Sequence, residues 1–83
     1  MSSIKEISLI LVQIIKSKSN KNVSKKMFDK DLYKQGIVDS FDILNLLTEF
    51  ENKFSIRIDP VKIKGFTFSV SFLSRLIYKI KKL

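Results

Sequence analysis

The chain of 83 residues contains no cysteine and no histidine. Disulfides, thiolate nucleophiles and zinc sites built from cysteine and histidine are therefore excluded. The side chain that most often acts as a general base near neutral pH is missing as well. Serine, aspartate, glutamate, lysine and tyrosine remain, but the sequence shows no nucleophile with a matching base. We therefore predict that the protein is not an enzyme.

Long apolar runs are also missing, because no segment approaches the ~18 apolar residues that a membrane-spanning helix needs. The most apolar stretch, residues 4–15, is interrupted by Lys5, Glu6 and Gln13, and it lacks the cleavage site of a signal peptide. The expected location is therefore the cytoplasm. Apolar residues make up 45% of the chain and charged residues 29%, which is typical of a single soluble domain, here residues 1–83, with a small core.

Charge is unevenly distributed along the chain. The formal net charge is +8, from 16 basic and 8 acidic residues. Residues 28–52 hold six acidic and two basic residues, a net charge of −4, whereas the rest holds fourteen basic and two acidic residues, or +12. A basic chain favours anionic partners such as nucleic acid, a membrane surface or an acidic protein. The same lysine content is also typical of a biased genome.

Apolar residues recur at helical spacing in three long stretches, which predicts an all-α fold. The expected helices span residues 3–18, 40–54 and 69–82. A fourth, short helical piece is expected to start at Asp59 and Pro60 and to end by Gly65, because these residue types are typical of helix starts and ends. Ser3 and Glu6 form a capping-box pattern at the start of the first helix.

A long connection, residues 19–39, separates the first two helices. It carries apolar residues that a free linker would not need, so we expect it to pack against the core; they are Met27, Phe28, Leu32, Tyr33, Ile37 and Val38. Gly36 would permit a sharp turn shortly before the second helix. Loops of this length inside compact domains tend to be functional.

The second helix divides its apolar residues between two faces. When Ser40 is placed as the N-cap and each residue advances 100°, the expected core face contains Ile43, Leu46, Leu47, Phe50 and Phe54. Phe41 and Leu44 fall outside this arc, in a sector that they share with Ser40 and several polar residues. Two exposed apolar residues beside a serine are typical of a docking surface.

Asp39 and Ser40 taken alone are typical of an ordinary helix N-cap. Within the run DLYKQGIVDSF, residues 31–41, they resemble the attachment site of acyl and peptidyl carrier proteins. In that family an Asp-Ser pair follows a glycine-containing loop and opens the second helix of a four-helix bundle. The resemblance continues through the second helix, Ile56, Ile58 and Pro60 to the last helix, and so covers nearly the whole chain.

The resemblance implies a four-helix bundle of the acyl-carrier type, with a long first loop and a short third helix. It implies that Ser40 carries a covalent 4'-phosphopantetheine arm derived from coenzyme A. The arm would hold an acyl or aminoacyl group as a thioester and shuttle it between enzymes. Asp39 would assist the phosphopantetheinyl transferase. The residues expected to contact partner enzymes are Phe41, Leu44, Thr48 and Glu51.

The expected partners are the phosphopantetheinyl transferase, an adenylating or acyl-loading enzyme, and a downstream acyl or aminoacyl transferase. We expect the carrier itself to be a monomer. The segment around residues 32–41 is most similar to D-alanyl carriers and free-standing peptidyl carriers, whereas fatty-acid carriers are strongly acidic along the second helix. We therefore expect an amino acid or a short acyl unit as cargo. A core filled by bulky residues would also leave little space for a long acyl chain; these are Phe50, Phe54, Phe66 and Phe72.

A basic helical module that binds nucleic acid or a membrane surface is the alternative. A nucleic-acid binder would gather its basic residues in one stripe, but here they are scattered over both chain ends and the long loop. A membrane-surface helix would use the apolar residues of the first helix, which the core of so small a domain requires. We therefore predict that nucleic acid is not a partner.

Overall fold

The computed structural model describes residues 3–59 and 67–81. This part of the chain forms three α-helices: α1 (Ile4–Ser19), α2 (Ser40–Phe54) and α3 (Val70–Lys81). One 3-10 turn, Lys25–Met27, lies in the connection between α1 and α2. The three long predicted helices are confirmed to within a residue or two at each described end. The predicted short helix, with Pro60 and Gly65, falls outside the described residues, so the described part shows a helical fold with three helices.

α1 begins at the predicted capping box. The Ser3 hydroxyl accepts from the Glu6 N–H at 3.1 Å, and the Glu6 carboxylate accepts from the Ser3 N–H at 2.9 Å. These bonds from the Ser3 backbone and side chain hold the pKa of Glu6 below its ordinary value. The carboxylate is exposed, so the effect on stability is small, and it is lost only as pH falls through that lowered pKa. The helix ends at Asn20, whose backbone is left-handed with φ 55°.

The core forms where the three helices bury their apolar faces. Its fully buried members include Ile7 and Leu11 of α1, Phe50 of α2, and Leu73 and Ile77 of α3. Removing side chains of this size from water contributes about 1.5–3 kcal/mol each. This burial is the main force that holds the helices together.

A buried pair of hydroxyls joins α1 to α3 inside the core. Ser8 Oγ and Ser74 Oγ lie 2.6 Å apart. Each hydroxyl also lies near the carbonyl one turn earlier in its own helix, Ile4 O at 3.0 Å and Val70 O at 2.7 Å. Both buried side chains therefore have hydrogen-bond partners, which avoids the cost of an unsatisfied buried hydroxyl.

The long connection is attached to the N-terminal end of α3 by backbone hydrogen bonds. The Leu32 N–H donates to Phe68 O at 2.9 Å, and the Ser71 N–H donates to Phe28 O at 2.9 Å. The second bond satisfies one of the first-turn N–H groups of α3, which have no partner within the helix. Leu32 and Val38 are buried in the core, as expected for a loop that packs against the helices.

Gly36 makes the turn that leads the connection into α2. Its φ is +75°, and a Cβ built on it would meet no atom within 4 Å. The Ile37 and Val38 N–H groups then both reach Leu32 O, at 3.0 and 3.3 Å. The glycine is therefore needed for its left-handed backbone and not for lack of space.

Gly36→Ala should lower the free energy of unfolding by about 1–2 kcal/mol, because an L-residue resists a positive φ. Ser55, the C-cap of α2, has φ 54°, so Ser55→Gly should raise stability by about 0.5–1 kcal/mol for the same reason. Urea unfolding of the two variants measures both changes. Equal stability of Gly36→Ala and the parent chain would contradict this account of the turn.

Candidate functional site

α2 begins with a reciprocal pair of hydrogen bonds between two aspartates. The Asp42 N–H donates to the Asp39 carboxylate at 2.8 Å, and the Asp39 N–H donates to the Asp42 carboxylate at 3.1 Å. The prediction that Ser40 is the N-cap is therefore wrong: Asp39 is the N-cap and Ser40 is the first helical residue. A reciprocal box needs an acceptor three residues after the cap. Asp39 has Asp42 there, whereas Ser40 would have Ile43, which cannot accept.

This shift of one residue leaves the Ser40 hydroxyl exposed and without a capping role. No hydrogen bond joins it to any other residue in the described part of the chain. The N–H groups of Ser40 and Phe41 belong to the first turn of α2, so no carbonyl inside the helix is in reach. The Ser40 hydroxyl therefore lies at the N-terminal end of α2, where the helix dipole is positive. Asp39, the N-cap, and Asp42, in the first turn, are its acidic neighbours along the chain.

The exposed side of α2 carries two large apolar side chains next to this serine. Phe41 is 71% exposed and Leu44 is 62% exposed, whereas Leu47 is 6% exposed and Phe50 is fully buried. Ile43 is half-buried. The predicted division of the apolar residues between a core face and an exposed face is therefore confirmed. Thr48 is exposed on the same side, and its hydroxyl donates to Leu44 O at 3.1 Å.

Glu51 has a structural role that the sequence did not indicate. Its carboxylate accepts a hydrogen bond from the Ile58 N–H at 2.6 Å, and the residue is half-buried. After the left-handed backbone of Ser55, this bond holds the segment 56–59 against α2. The predicted contact of Glu51 with partner enzymes stays a prediction, because nothing in the chain itself tests it.

A surface groove lies between α2 and the segment 56–59. It has a volume of about 510 Å³ and is lined by Leu44, Leu47, Thr48, Glu51, Arg57, Ile58 and Asp59. Leu44, Thr48 and Glu51, which were predicted to share one surface, come together here. Arg57, which is distant from Ser40 along the chain, was not predicted to join them. The sequence has no glycine or proline at the turn around Ser55, so no local signal indicated that this segment folds back on α2.

Among residues 3–59 and 67–81, no group of three histidine, cysteine, aspartate or glutamate side chains could hold a metal ion. No helix in the same residues has the length and apolarity required to cross a membrane.

No protein-family model matches the chain. A D-alanyl carrier protein from Streptococcus sanguinis is 36% identical to it over 53 residues, which are 64% of this chain and 66% of the relative. The chain is a relative of the carrier proteins. This confirms the family that the segment 31–41 resembles, and it supports the prediction of a non-catalytic carrier. The matched region covers just under two thirds of the length of that relative.

Truncating one residue on each face of α2 should distinguish the exposed face of the helix from its core face. Leu47→Ala should lower the free energy of unfolding by about 2–5 kcal/mol, because it leaves a cavity. Leu44→Ala should change it by less than about 0.5 kcal/mol, because the side chain is mostly in water. Urea unfolding with far-UV circular dichroism measures both. A large loss for Leu44→Ala would show that this side chain is needed for folding.

Proposed function

We propose that the chain carries an acyl or aminoacyl group as a thioester on a phosphopantetheine arm attached to Ser40, and passes it between enzymes. The observation that carries the proposal is the position of the Ser40 hydroxyl. It is exposed on the first turn of α2 and free of any capping bond in the described part of the chain. The relationship to a D-alanyl carrier protein supports the same role.

The surroundings of Ser40 fit the attachment of a phosphodiester. The first-turn N–H groups of Ser40 and Phe41 face the end of the helix where negative charge is favoured. Asp39 and Asp42 oppose this effect, but their carboxylates are each bonded to a backbone N–H. When attached, the arm would supply the thiol that a chain without cysteine does not have. Asp39 would then serve the transferase that attaches the arm from coenzyme A.

The exposed side of α2 would bring the arm to partner enzymes. Phe41 and Leu44 stand within one turn of Ser40 and leave most of their apolar surface in water. Burying that surface against a partner would favour docking by about 25 cal/mol per Å², and Thr48 extends the same face. The partners in this scheme are a phosphopantetheinyl transferase, an adenylating or acyl-loading enzyme, and a downstream acyl or aminoacyl transferase.

Incubation with coenzyme A and a broad-specificity phosphopantetheinyl transferase should add the mass of one arm to the protein. Ser40→Ala should abolish the increase and leave stability within about 0.5 kcal/mol of the parent, because Asp39 and not Ser40 caps the helix. Intact-mass spectrometry measures the modification. Ser17→Ala, which removes an exposed serine on α1, is the control and should be modified like the parent. Modification of Ser40→Ala would refute the assignment of the site.

We expect the cargo to be an amino acid or a short acyl unit. A long acyl chain needs shelter from water, and each exposed CH₂ forgoes about 0.8 kcal/mol. Phe50 and Phe54 are buried between the helices, and expanding a packed core costs about 1–3 kcal/mol or more. Phe72 is half-buried and packs against the core, and Phe66 lies outside the described residues.

The holo protein loaded with alanine should therefore show amide exchange rates in the core close to those of the unloaded form. When a sixteen-carbon acyl group is loaded instead, the acyl group should stay in solvent. The amide exchange rates of the core should then again hardly change. Hydrogen exchange read by mass spectrometry compares the three forms. Strong protection throughout α2 and α3 only with the long chain, together with a higher unfolding temperature, would show that the helices enclose it and would favour fatty-acyl cargo.

A further inference from the structure

Charge differs between the elements of the bundle. α2 with its cap, residues 39–54, holds four acidic residues and one lysine, a net charge of −3. α3 holds Arg75, Lys79 and Lys81 and no acidic residue, a net charge of +3. The connection, residues 20–38, holds five lysines and two aspartates, again a net charge of +3. The acidic and basic groups therefore belong to different parts of the fold.

Backbone hydrogen bonds bring the basic connection to the start of the basic helix. The Ser71 N–H donates to Phe28 O, and the Leu32 N–H donates to Phe68 O, each at 2.9 Å. These bonds fix residues 28–32 at the N-terminal end of α3. Lysines of the connection and cations of α3, which are far apart in the sequence, therefore come close together.

Five exposed cations of these two elements define what we call the basic surface. Arg75 and Lys79 follow Ser71 by about one and two helical turns, so they lie on its side of α3. The members from the connection lie on either side of Phe28 in the sequence. None of the five forms an ion pair within residues 3–59 and 67–81. The basic surface consists of Lys25, Lys26, Lys30, Arg75 and Lys79.

Nearby carboxylates weaken the basic surface only in part. Asp29 and Asp31 adjoin its five cations and leave a net charge of +3. The carboxylates of α2 face elsewhere, because α2 and α3 both turn their buried faces, with Phe50 and Leu73, towards the common core. The molecule measures 31 × 26 × 20 Å, whereas salt screens charges over about 10 Å at 0.1 M. A flat anionic surface on the basic side therefore meets little repulsion from α2.

We propose that the basic surface binds the anionic headgroups of a lipid bilayer and orients the protein with the exposed face of α2 directed away from the lipid. Each lysine or arginine close to an anionic bilayer raises the partition coefficient by about fivefold. Several such residues give reversible binding without insertion of a helix. Ser40 and its neighbours on α2 stay accessible to enzymes in this orientation.

A lipid surface fits these observations better than nucleic acid. Helical modules that read DNA place residues of a helix N-terminus in the major groove. The N-terminal end of α3 is covered by the connection, through the bond between Ser71 and Phe28. The connection also exposes 54% of Tyr33, and tyrosine is enriched at the interface between membrane and water.

Sedimentation with lipid vesicles tests the proposal. Vesicles of phosphatidylcholine alone are compared with vesicles in which about 30% of the lipid is phosphatidylglycerol. At about 0.05 M NaCl, where screening is weak, the full chain should bind the anionic vesicles and not the neutral ones. At about 0.3 M NaCl the partition coefficient should be at least about tenfold lower, because salt screens the attraction. Equal binding to both kinds of vesicle, or binding to neither, would overturn the proposal.

Two double variants of equal net charge locate the contact. Lys26→Gln with Arg75→Gln removes two charges from the basic surface and should lower the partition coefficient about ten- to thirtyfold. Lys53→Gln with Arg57→Gln removes two exposed charges from α2 and the segment after it, and should lower the coefficient less than about threefold. Far-UV circular dichroism checks that both variants fold. An equal effect of the two would show a response to overall charge alone and would refute the basic surface.

The orientation of the bound protein is measured with single cysteines, which a chain without cysteine permits. Ser24→Cys, beside the basic surface, and Asn45→Cys, on the exposed side of α2, each carry a fluorophore, and a quencher is attached to the lipid headgroups. The label at position 24 should be quenched more strongly than the label at position 45. Equal or reversed quenching would contradict the proposed orientation.

Two further samples separate this proposal from the other functions considered for the chain. Ser40→Ala should bind the anionic vesicles like the parent chain, because the basic surface does not involve the arm. A double-stranded DNA oligonucleotide, added at a phosphate concentration equal to that of the anionic lipid, should leave most of the protein on the vesicles. Displacement of the protein by this DNA would show that the basic surface prefers nucleic acid and would overturn the proposal.

Discussion

The reciprocal hydrogen bonds between Asp39 and Asp42 determine where α2 begins, and the free hydroxyl of Ser40 depends on that start. In a helix that began one residue later, Ser40 would be the N-cap, and its hydroxyl would accept from a first-turn N–H. The buried face of α2, with Leu47 and Phe50, would not change, because core packing sets the rotation of the helix. The capping box is worth only about 1 kcal/mol. Its importance for the site is that it frees the Ser40 hydroxyl from capping.

The surface around Ser40 is assembled by two connections rather than by the helices alone. The long loop is attached to α3 through Leu32 and Phe28, which positions Gly36 and the approach to α2. On the other side, the bond between Glu51 and Ile58 holds the outer wall of the groove. At the far ends of the helices, the Lys81 ammonium donates to Phe54 O at 2.8 Å. α2 is thus supported at its beginning, along its side and at its end.

The acidic residues of α2 also hold its local structure. Residues 28–52 are acidic in sequence, which on its own suggests a docking site for a basic enzyme. In the structure the carboxylates of α2 and its cap serve capping, an ion pair and a backbone bond. A carboxylate that accepts from a backbone N–H keeps its negative charge, so these contacts leave the acidic character of the segment in place.

The helices, the core face of α2 and the candidate serine could all be predicted from the amino-acid sequence. These depend on local rules: helical periodicity placed Phe50 and Leu47 in the core, and the pattern of Asp39 and Ser40 after Gly36 marked the site. The choice of Asp39 over Ser40 as the cap follows a local rule as well, because only Asp39 has an acceptor, Asp42, three residues later. Tertiary structure decided that Glu51 bonds to Ile58 and that Arg57 joins the groove. Such contacts link residues across a turn whose path depends on packing, and neither composition nor helical periodicity specifies that path.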